Sequence, residues 1–258
     1  MIHAPVMLKE VLQFFSPRPG EKFIDCTLGG GGHTKALVER GAEVLGLDWT
    51  GEMVERNKNT KNLKVVQANF RNLAEIAKRE KFKNISGILF DLGLCSWHLN
   101  SSGLGFAFQK DEPLDMRFTG EGETAGDILN NWREEDLARI FKEYGEERVA
   151  KKIASCLVSK RPLLKTSDLL SCLFTTKTKS RIFQSLRIAV NDELASLQQA
   201  LPQAMKLAKK VAVISYHSLE DRIVKNHFDN RIFLIPSADE IAENSRARSA
   251  KLRLYVKS

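Results

Sequence analysis

Residues Phe23-Ile24-Asp25-Cys26-Thr27-Leu28 make a short, largely apolar run, and four consecutive glycines, Gly29 to Gly32, separate it from His33. The run is long enough for a buried strand, and Thr34 to Arg40, with Leu37 and Val38 as apolar members, resumes a helical pattern. Strand, glycine turn and helix in that order is how an open α/β sheet brings its backbone against a cofactor. Glycine admits positive φ and has no Cβ to obstruct a ligand. The helix start adds N–H groups that lack intrahelical partners.

Three glycine-loop patterns compete for this stretch. A Walker loop counted from Gly29 puts Thr34 where its second glycine belongs and Ala36 where its hydroxyl residue belongs, so it fails. A dinucleotide fingerprint finds only Gly31, His33 and Ala36, or Gly29, Gly31 and Thr34, and fits poorly. The third pattern is an S-adenosylmethionine site. It needs an acidic residue in the strand, a glycine loop, and an acidic residue closing the next strand. Asp25 and the run Val44-Leu45-Gly46-Leu47-Asp48 supply those parts. A carboxylate at a strand tip accepts hydrogen bonds from two ribose hydroxyls. The plain alternative is a sharp turn, with Asp48 capping a helix.

The chain of 258 residues can bury a full core. No apolar run approaches the length of a membrane span, and the N-terminus lacks a signal-peptide pattern, so a cytoplasmic protein is expected. Cys26, Cys95, Cys156 and Cys172 are scattered with no C-x-x-C pair. Reduced thiols are therefore expected, with neither a zinc site nor a disulfide framework. The net charge of +8 is unevenly distributed: between Arg148 and Arg187 ten basic residues face one acid, Asp168. A clustered basic face is the footprint of a polyanion such as nucleic acid; a solvated helix face is the alternative.

Apolar spacing predicts a helix over 5–15, ended by Pro17-Arg18-Pro19-Gly20. Strands follow at 23–26, 44–48, 63–68 and 85–91, alternating with helices, which argues for a parallel, doubly wound sheet. The alternation stops after Asp91-Leu92-Gly93. A Ser- and Gly-rich loop to about Gly126 is too long for a plain connection. Residues 127–208 are mostly helix-forming. Asn131 and Ser167 are candidate caps, one helix is expected over 181–200, and Pro202 is expected to open a new segment or kink that helix. Strand pattern returns at 211–216, Ser218 and Asp221 fit a capping box, and 233–235 with 252–256 can form a final strand pair. The expected architecture is an α/β domain over 1–102 and 209–258, interrupted by a helical domain over 103–208.

Several motifs together resemble the bacterial MraW/RsmH-type small-subunit ribosomal RNA (cytosine-N4) methyltransferases. They are His3 with Val6-Met7-Leu8-x-Glu10, the glycine loop to His33, Asp91-Leu92-Gly93-Leu94-Cys95-Ser96, Gly105-Phe106-Ala107-Phe108 and Pro113-Leu114-Asp115-Met116-Arg117. Tyr144-Gly145-Glu146-Glu147-Arg148, Phe183-Gln184-x-Leu186-Arg187-Ile188-x-Val190-Asn191-x-Glu193, Ser215-Tyr216-His217-Ser218-Leu219-Glu220-Asp221-Arg222 and the tail 246–253 complete the set. The resemblance covers nearly the whole chain. It implies a Rossmann-like, S-adenosylmethionine-dependent methyltransferase fold with an inserted all-helical domain. The implied substrate is 16S ribosomal RNA or the small ribosomal subunit, and the implied target is a cytidine of the decoding centre. The implied cofactor contacts are Gly31, Gly32, His33, Asp48, Phe70, Asp91 and His98; no metal is implied. His98 stands where the family usually has Gln, and Cys95 where it has Ser.

The implied reaction moves a methyl group to the exocyclic amine of cytosine, whose lone pair is delocalised into the ring. Asp91, or a backbone carbonyl near Leu92, is a candidate acceptor for the amine hydrogens, and His217, at the carboxyl end of the fifth strand, is a candidate substrate contact. The target base must be unpaired or flipped. Phe106, Phe108 and Trp97 are candidate stackers, with packing as their alternative. Asp115, Arg117, Arg187, Asn191 and Glu193 either build the target pocket or hold the insertion. The lysines between 151 and 179 are expected to bind phosphate. Two rivals have their own discriminators. A DNA amino methyltransferase usually carries [DSN]-P-P-[YFW] where this chain has Asp91-Leu92-Gly93-Leu94. A non-catalytic RNA-binding protein does not need an intact loop and Asp48.

Overall fold

The computed structural model describes residues 5–228 and 232–257, so His3 of the N-terminal motif lies outside the described residues. The chain begins with α1 (Leu8–Phe15), followed by β1 (Lys22–Asp25), α2 (Gly32–Val38), β2 (Glu43–Asp48) and α3 (Gly51–Asn57). Then come β3 (Leu63–Gln67), α4 (Leu73–Arg79) and β4 (Ile85–Asp91). A helical stretch follows: α5 (Ser96–Asn100), α6 (Ala125–Asn131), α7 (Glu134–Glu143), α8 (Ala150–Ser159), α9 (Thr166–Leu170) and α10 (Thr176–Asn191). The last part holds α11 (Glu193–Leu207), β5 (Ala208–Ser215), α12 (Ser218–His227), β6 (Phe233–Leu234), α13 (Ala238–Glu243) and β7 (Lys251–Val256).

The strands form one seven-stranded sheet in the order β3-β2-β1-β4-β5-β7-β6. The first five are parallel, while β7 runs antiparallel to both β5 and β6. Phe23 and Ile24 of β1 and Ile88, Leu89 and Phe90 of β4 are all buried. Burial on both faces explains why these strands read as continuous apolar runs instead of alternating. The chain winds outward from β1 in one direction and from β4 in the other. The switch point of this doubly wound, Rossmann-like sheet therefore lies between those two strands, and ligand crevices open at the carboxyl ends of strands at such points. Asp25 and Asp91 end the strands on either side of it.

The chain divides into two compact units, Met1–Gly93 with Leu194–Ser258, and Leu94–Glu193. Their boundaries differ from the expected 102/103 and 208/209. The helix expected over 181–200 is broken at Asp192, whose φ of 49° is left-handed and ends the hydrogen-bond ladder of α10. The chain restarts as α11, which continues through Pro202, so the break expected there occurs ten residues earlier. Leu197, Ala200, Leu201 and Ala204 recur at helical spacing and pack with Ile24, Leu45 and Ile88 in the core of the sheet unit.

The helical unit has a core of its own, in which Leu137 and Phe141 of α7, Ile153 and Leu157 of α8, and Ile182 and Leu186 of α10 meet. Cys156 of α8 and Cys172 after α9 are joined in a disulfide across 16 residues, with Cα atoms 6.0 Å apart. This corrects the expectation of four reduced thiols. Helix packing brings α8 and the end of α9 together, and linear spacing does not reveal it. Cys26 and Cys95 are free thiols.

Local capping also differs from the expected pattern. The cap of α12 is His217 and not Ser218. Its Nδ1 accepts the Glu220 N–H at 3.4 Å, and the Glu220 carboxylate accepts the N–H groups of Tyr216 and His217. Asp221 is thereby released to pair with Lys251 and Arg253 of β7. Asn131 ends α6 instead of starting α7, and Lys165 precedes α9 where Ser167 was the expected cap.

Candidate cofactor and active site

The glycine loop closes through its backbone. Gly31 has a φ of 76°, and a Cβ there would lie 2.3 Å from Asn57 Oδ1, so both the conformation and the space require glycine. The Asn57 amide of α3 donates to Gly29 O at 3.0 Å and to Met53 O at 2.8 Å, clamping the loop onto its neighbouring helix. A Cβ on Gly30 would meet nothing within 4 Å, which leaves open space over that backbone. Asp48, at the tip of β2, accepts the Gly29 N–H at 2.7 Å and the Thr50 N–H at 2.8 Å, one on each oxygen. The Thr50 hydroxyl and the Trp49 N–H also donate to this carboxylate, which orients it at the strand tip. Burial raises the Asp48 pKa, and the hydrogen bonds from Thr50, Gly29 and Trp49 work in the opposite direction. Open backbone beside an oriented strand-tip carboxylate fits a nucleoside ribose.

A second set of polar groups lines the switch point. Asp25 is buried, accepts the Thr34 hydroxyl at 2.7 Å and the Thr27 N–H at 3.1 Å, and has its pKa raised by burial. The Thr27 hydroxyl oxygen accepts the Asp91 N–H at 2.6 Å, which ties the tip of β4 to the end of β1. Asp91 accepts the Tyr216 hydroxyl on Oδ1 at 2.7 Å, while its Oδ2 lies 3.6 Å from His33 Nδ1. The Val6 carbonyl, 3.0 Å from His33 Nε2, can only accept, so the imidazole carries its proton on Nε2. Its Nδ1 therefore presents a lone pair toward Asp91 when the ring is neutral, the state that burial favours. Burial pushes the Asp91 carboxyl up to about 7, against the Tyr216 hydrogen bond, which lowers it. Half-ionised near neutrality, Asp91 can both accept and return a proton.

The structure thus brings Gly31, Gly32, His33, Asp48 and Asp91 to one end of the sheet. Phe70 opens a short turn just past β3, with its ring edge-on to Phe90 at 5.5 Å. His217 is occupied as the cap of α12, and its Nε2 lies 3.1 Å from Glu220 Oε1, so the structural alternative accounts for its position. Asn57, Thr27, Thr34 and Tyr216 went unassigned in the sequence. The two threonines flank the glycines, which was a readable signal. The Asn57 and Tyr216 contacts depend on packing between elements distant in sequence.

The remaining candidates lie in the helical unit. His98 is buried, with Nδ1 3.1 Å from Cys95 Sγ, its ring against Phe106 and Phe118, and its pKa lowered to about 4, first by burial and then by Arg187. Phe106 is 5% exposed and stacks on Phe118 at 5.6 Å, and Phe108 meets Phe183 edge-on. The Phe106 ring is buried in the core, and Phe108 is partly buried against the same core. Trp97 is partly buried with its ring against His98. Arg117 forks onto Asp115 through two bonds of 2.9 Å and donates to Gly120 O, which folds the long loop back on itself. Asn191 accepts from Phe118 N and donates to Met116 O, pinning that loop to α10. Arg187 pairs with Glu193 at 2.7 Å.

Residues 1–258 match the family model described as the MraW methylase family. A protein of Dictyoglomus thermophilum named "Ribosomal RNA small subunit methyltransferase H" is 41% identical, over 98% of this chain and 96% of its own. Proteins of the same name from Deinococcus deserti and Dehalococcoides mccartyi are each 39% identical over 98% of this chain, covering 92% and 85% of their own lengths. No helix among the described residues is long and apolar enough to cross a membrane.

Proposed function

The chain belongs to the MraW methylase family, and from that premise we propose that it methylates the N4 amine of a cytidine in the decoding centre of 16S ribosomal RNA. The methyl donor is S-adenosylmethionine, and the place of action is the cytoplasm, on free RNA or on the small ribosomal subunit. What supports this reading most is the Asp48 carboxylate, tied to the Gly29 N–H at the tip of β2 beside the open backbone of Gly30. Gly31, Gly32, His33, Asp48, Phe70, Asp91 and His98 are the proposed cofactor contacts. The sheet unit is the proposed cofactor-binding part. The helical unit, with its basic run, is the proposed RNA-recognition part.

Bound S-adenosylmethionine supplies an activated methyl group on a sulfonium sulfur, and transfer to N4 releases one amine proton. Asp91 is the proposed acceptor of that proton. Its carboxyl titrates near neutrality, and the bonds from Tyr216 and Thr27 hold it in place at the switch point. Binding that orients the amine contributes much of the acceleration in such a displacement.

Mass spectrometry of 16S ribosomal RNA from cells with and without this chain tests the assignment. N4-methylcytidine should vanish in the deletion strain and return on complementation; its persistence in the deletion strain would overturn the assignment. Asp48→Ala should abolish cofactor binding in calorimetry while RNA affinity stays nearly intact. Equal loss of both would make Asp48 a structural residue only.

A further inference from the structure

Phe174 lies in the short turn between α9 and α10 and is 90% exposed. Single exposed apolar side chains are ordinary, but three features set this ring apart. First, the chain behind it is anchored: Cys172 and Leu173 are 3% and 2% exposed, and Cys172 is bonded to Cys156 of α8. The ring therefore projects from a fixed point and is not part of a slack loop. Second, cations follow it in the chain or are bonded to its segment. Lys160 Nζ lies 3.0 Å from Ser171 Oγ, and Lys177 and Lys179 sit on the first turn of α10, which contains no acidic residue. Third, its exposed chain neighbours, Ser171, Thr175, Thr176 and Lys177, are polar, so within its own segment the ring is flanked by polar side chains.

We infer that Phe174 is a stacking platform for an unpaired nucleobase of single-stranded RNA, with Lys160, Lys177 and Lys179 holding the phosphates on either side of that base. An exposed aromatic inside a basic surface is how proteins bind single strands: the ring meets the base face and the cations follow the backbone. The stack tolerates any base and leaves sequence choice to other contacts. The inference deepens the ribosomal RNA reading above and rests on it. It also supplies the open aromatic face that the buried Phe106 does not.

The test is fluorescence anisotropy with a short labelled single-stranded oligoribonucleotide and with deproteinised 16S ribosomal RNA, across a salt series. Wild type, Phe174→Ala, Phe174→Leu, Phe174→Trp and Lys177→Ala/Lys179→Ala are compared. Phe174→Ala should weaken binding about tenfold or more with an unchanged salt slope, because stacking contributes no counterion release. Tryptophan should restore affinity and leucine should not. The double lysine variant should flatten the slope by roughly 0.7 per lysine. Equal affinity of Phe174→Ala and wild type, or rescue by leucine as complete as by tryptophan, would overturn the stacking role; the latter would mark an apolar contact of the kind a protein makes. If wild type binds neither RNA, the RNA reading itself fails, a result distinct from the failure of Phe174 alone.

Discussion

The Tyr216 hydroxyl donates to Asp91 Oδ1 at 2.7 Å, linking the end of β5 to the tip of β4 across 125 residues of chain. The bond favours the ionised carboxylate, opposing the burial that raises the Asp91 pKa to about 7. Tyr216→Phe removes that support. A hydrogen bond to a charged group contributes ~1.5–3 kcal/mol, or roughly one to two pKa units. The Asp91 pKa in the variant should therefore rise further. Methylation at pH 7 should fall about tenfold, with most of the loss recovered at pH 9. Rates measured from pH 6 to 9 check this; an equal fractional loss at every pH would remove Asp91 from the proton-accepting role.

Asp91→Asn separates activity from stability. The folded pKa of Asp91 lies above its ordinary value, so its stabilising contribution is full below about pH 4 and is lost as pH rises through about 7. A neutral amide escapes that loss, accepts the Tyr216 hydroxyl, and offers an N–H toward the His33 Nδ1 lone pair. The variant should be inactive at every pH, yet more stable than wild type at pH 8. The gain should be on the order of 1–2 kcal/mol, well short of the full linkage value because the carboxyl is 23% exposed. At pH 4 the two should be alike. Denaturant melts at both pH values read the difference.

The clamp on the glycine loop predicts a non-additive pair. Gly31→Ala forces a Cβ to 2.3 Å from Asn57 Oδ1 at a φ of 76°. It should destabilise the protein by about 2–3 kcal/mol and abolish S-adenosylmethionine binding. Asn57→Ala removes two hydrogen bonds and should cost ~1–3 kcal/mol. The double variant should be less destabilised than the sum of the two, since the clash disappears and only the backbone strain remains. A double-mutant cycle by calorimetric unfolding measures the coupling; strict additivity would mean that the loop is not held by Asn57.

The Cys156–Cys172 bond closes a loop across 16 residues in the helical unit. Chain-entropy reasoning assigns such a loop about 3 kcal/mol. Reductant should lower the unfolding midpoint of the wild-type protein. Cys156→Ser/Cys172→Ser should start from that lower midpoint and not respond to reductant. Free-thiol titration of the unfolded protein should count two thiols before reduction and four after.

Much of the chain's organisation is determined locally and was therefore legible in the residues themselves. The parallel strands are buried on both faces, so apolar runs announce them, and the glycines with Asp48 mark a turn and an acidic strand tip. Helix existence was also readable from spacing, but helix ends were less so. Caps depend on which side chain reaches which N–H, and His217 took the place expected for Ser218.

Long-range contacts were decided only by the tertiary structure. No spacing rule joins Cys156 to Cys172 or Tyr216 to Asp91, because each pair meets through packing of elements far apart in sequence. The same holds for α11, which the left-handed break at Asp192 separates from α10 and whose apolar residues pack in the core of the sheet unit. Phe106 and Phe174 are identical as residue types, and burial alone makes one a core ring and leaves the other in solvent. Sequence determines what a side chain is able to do; which groups surround it, and hence its pKa and its access to a ligand, is fixed by the three-dimensional packing.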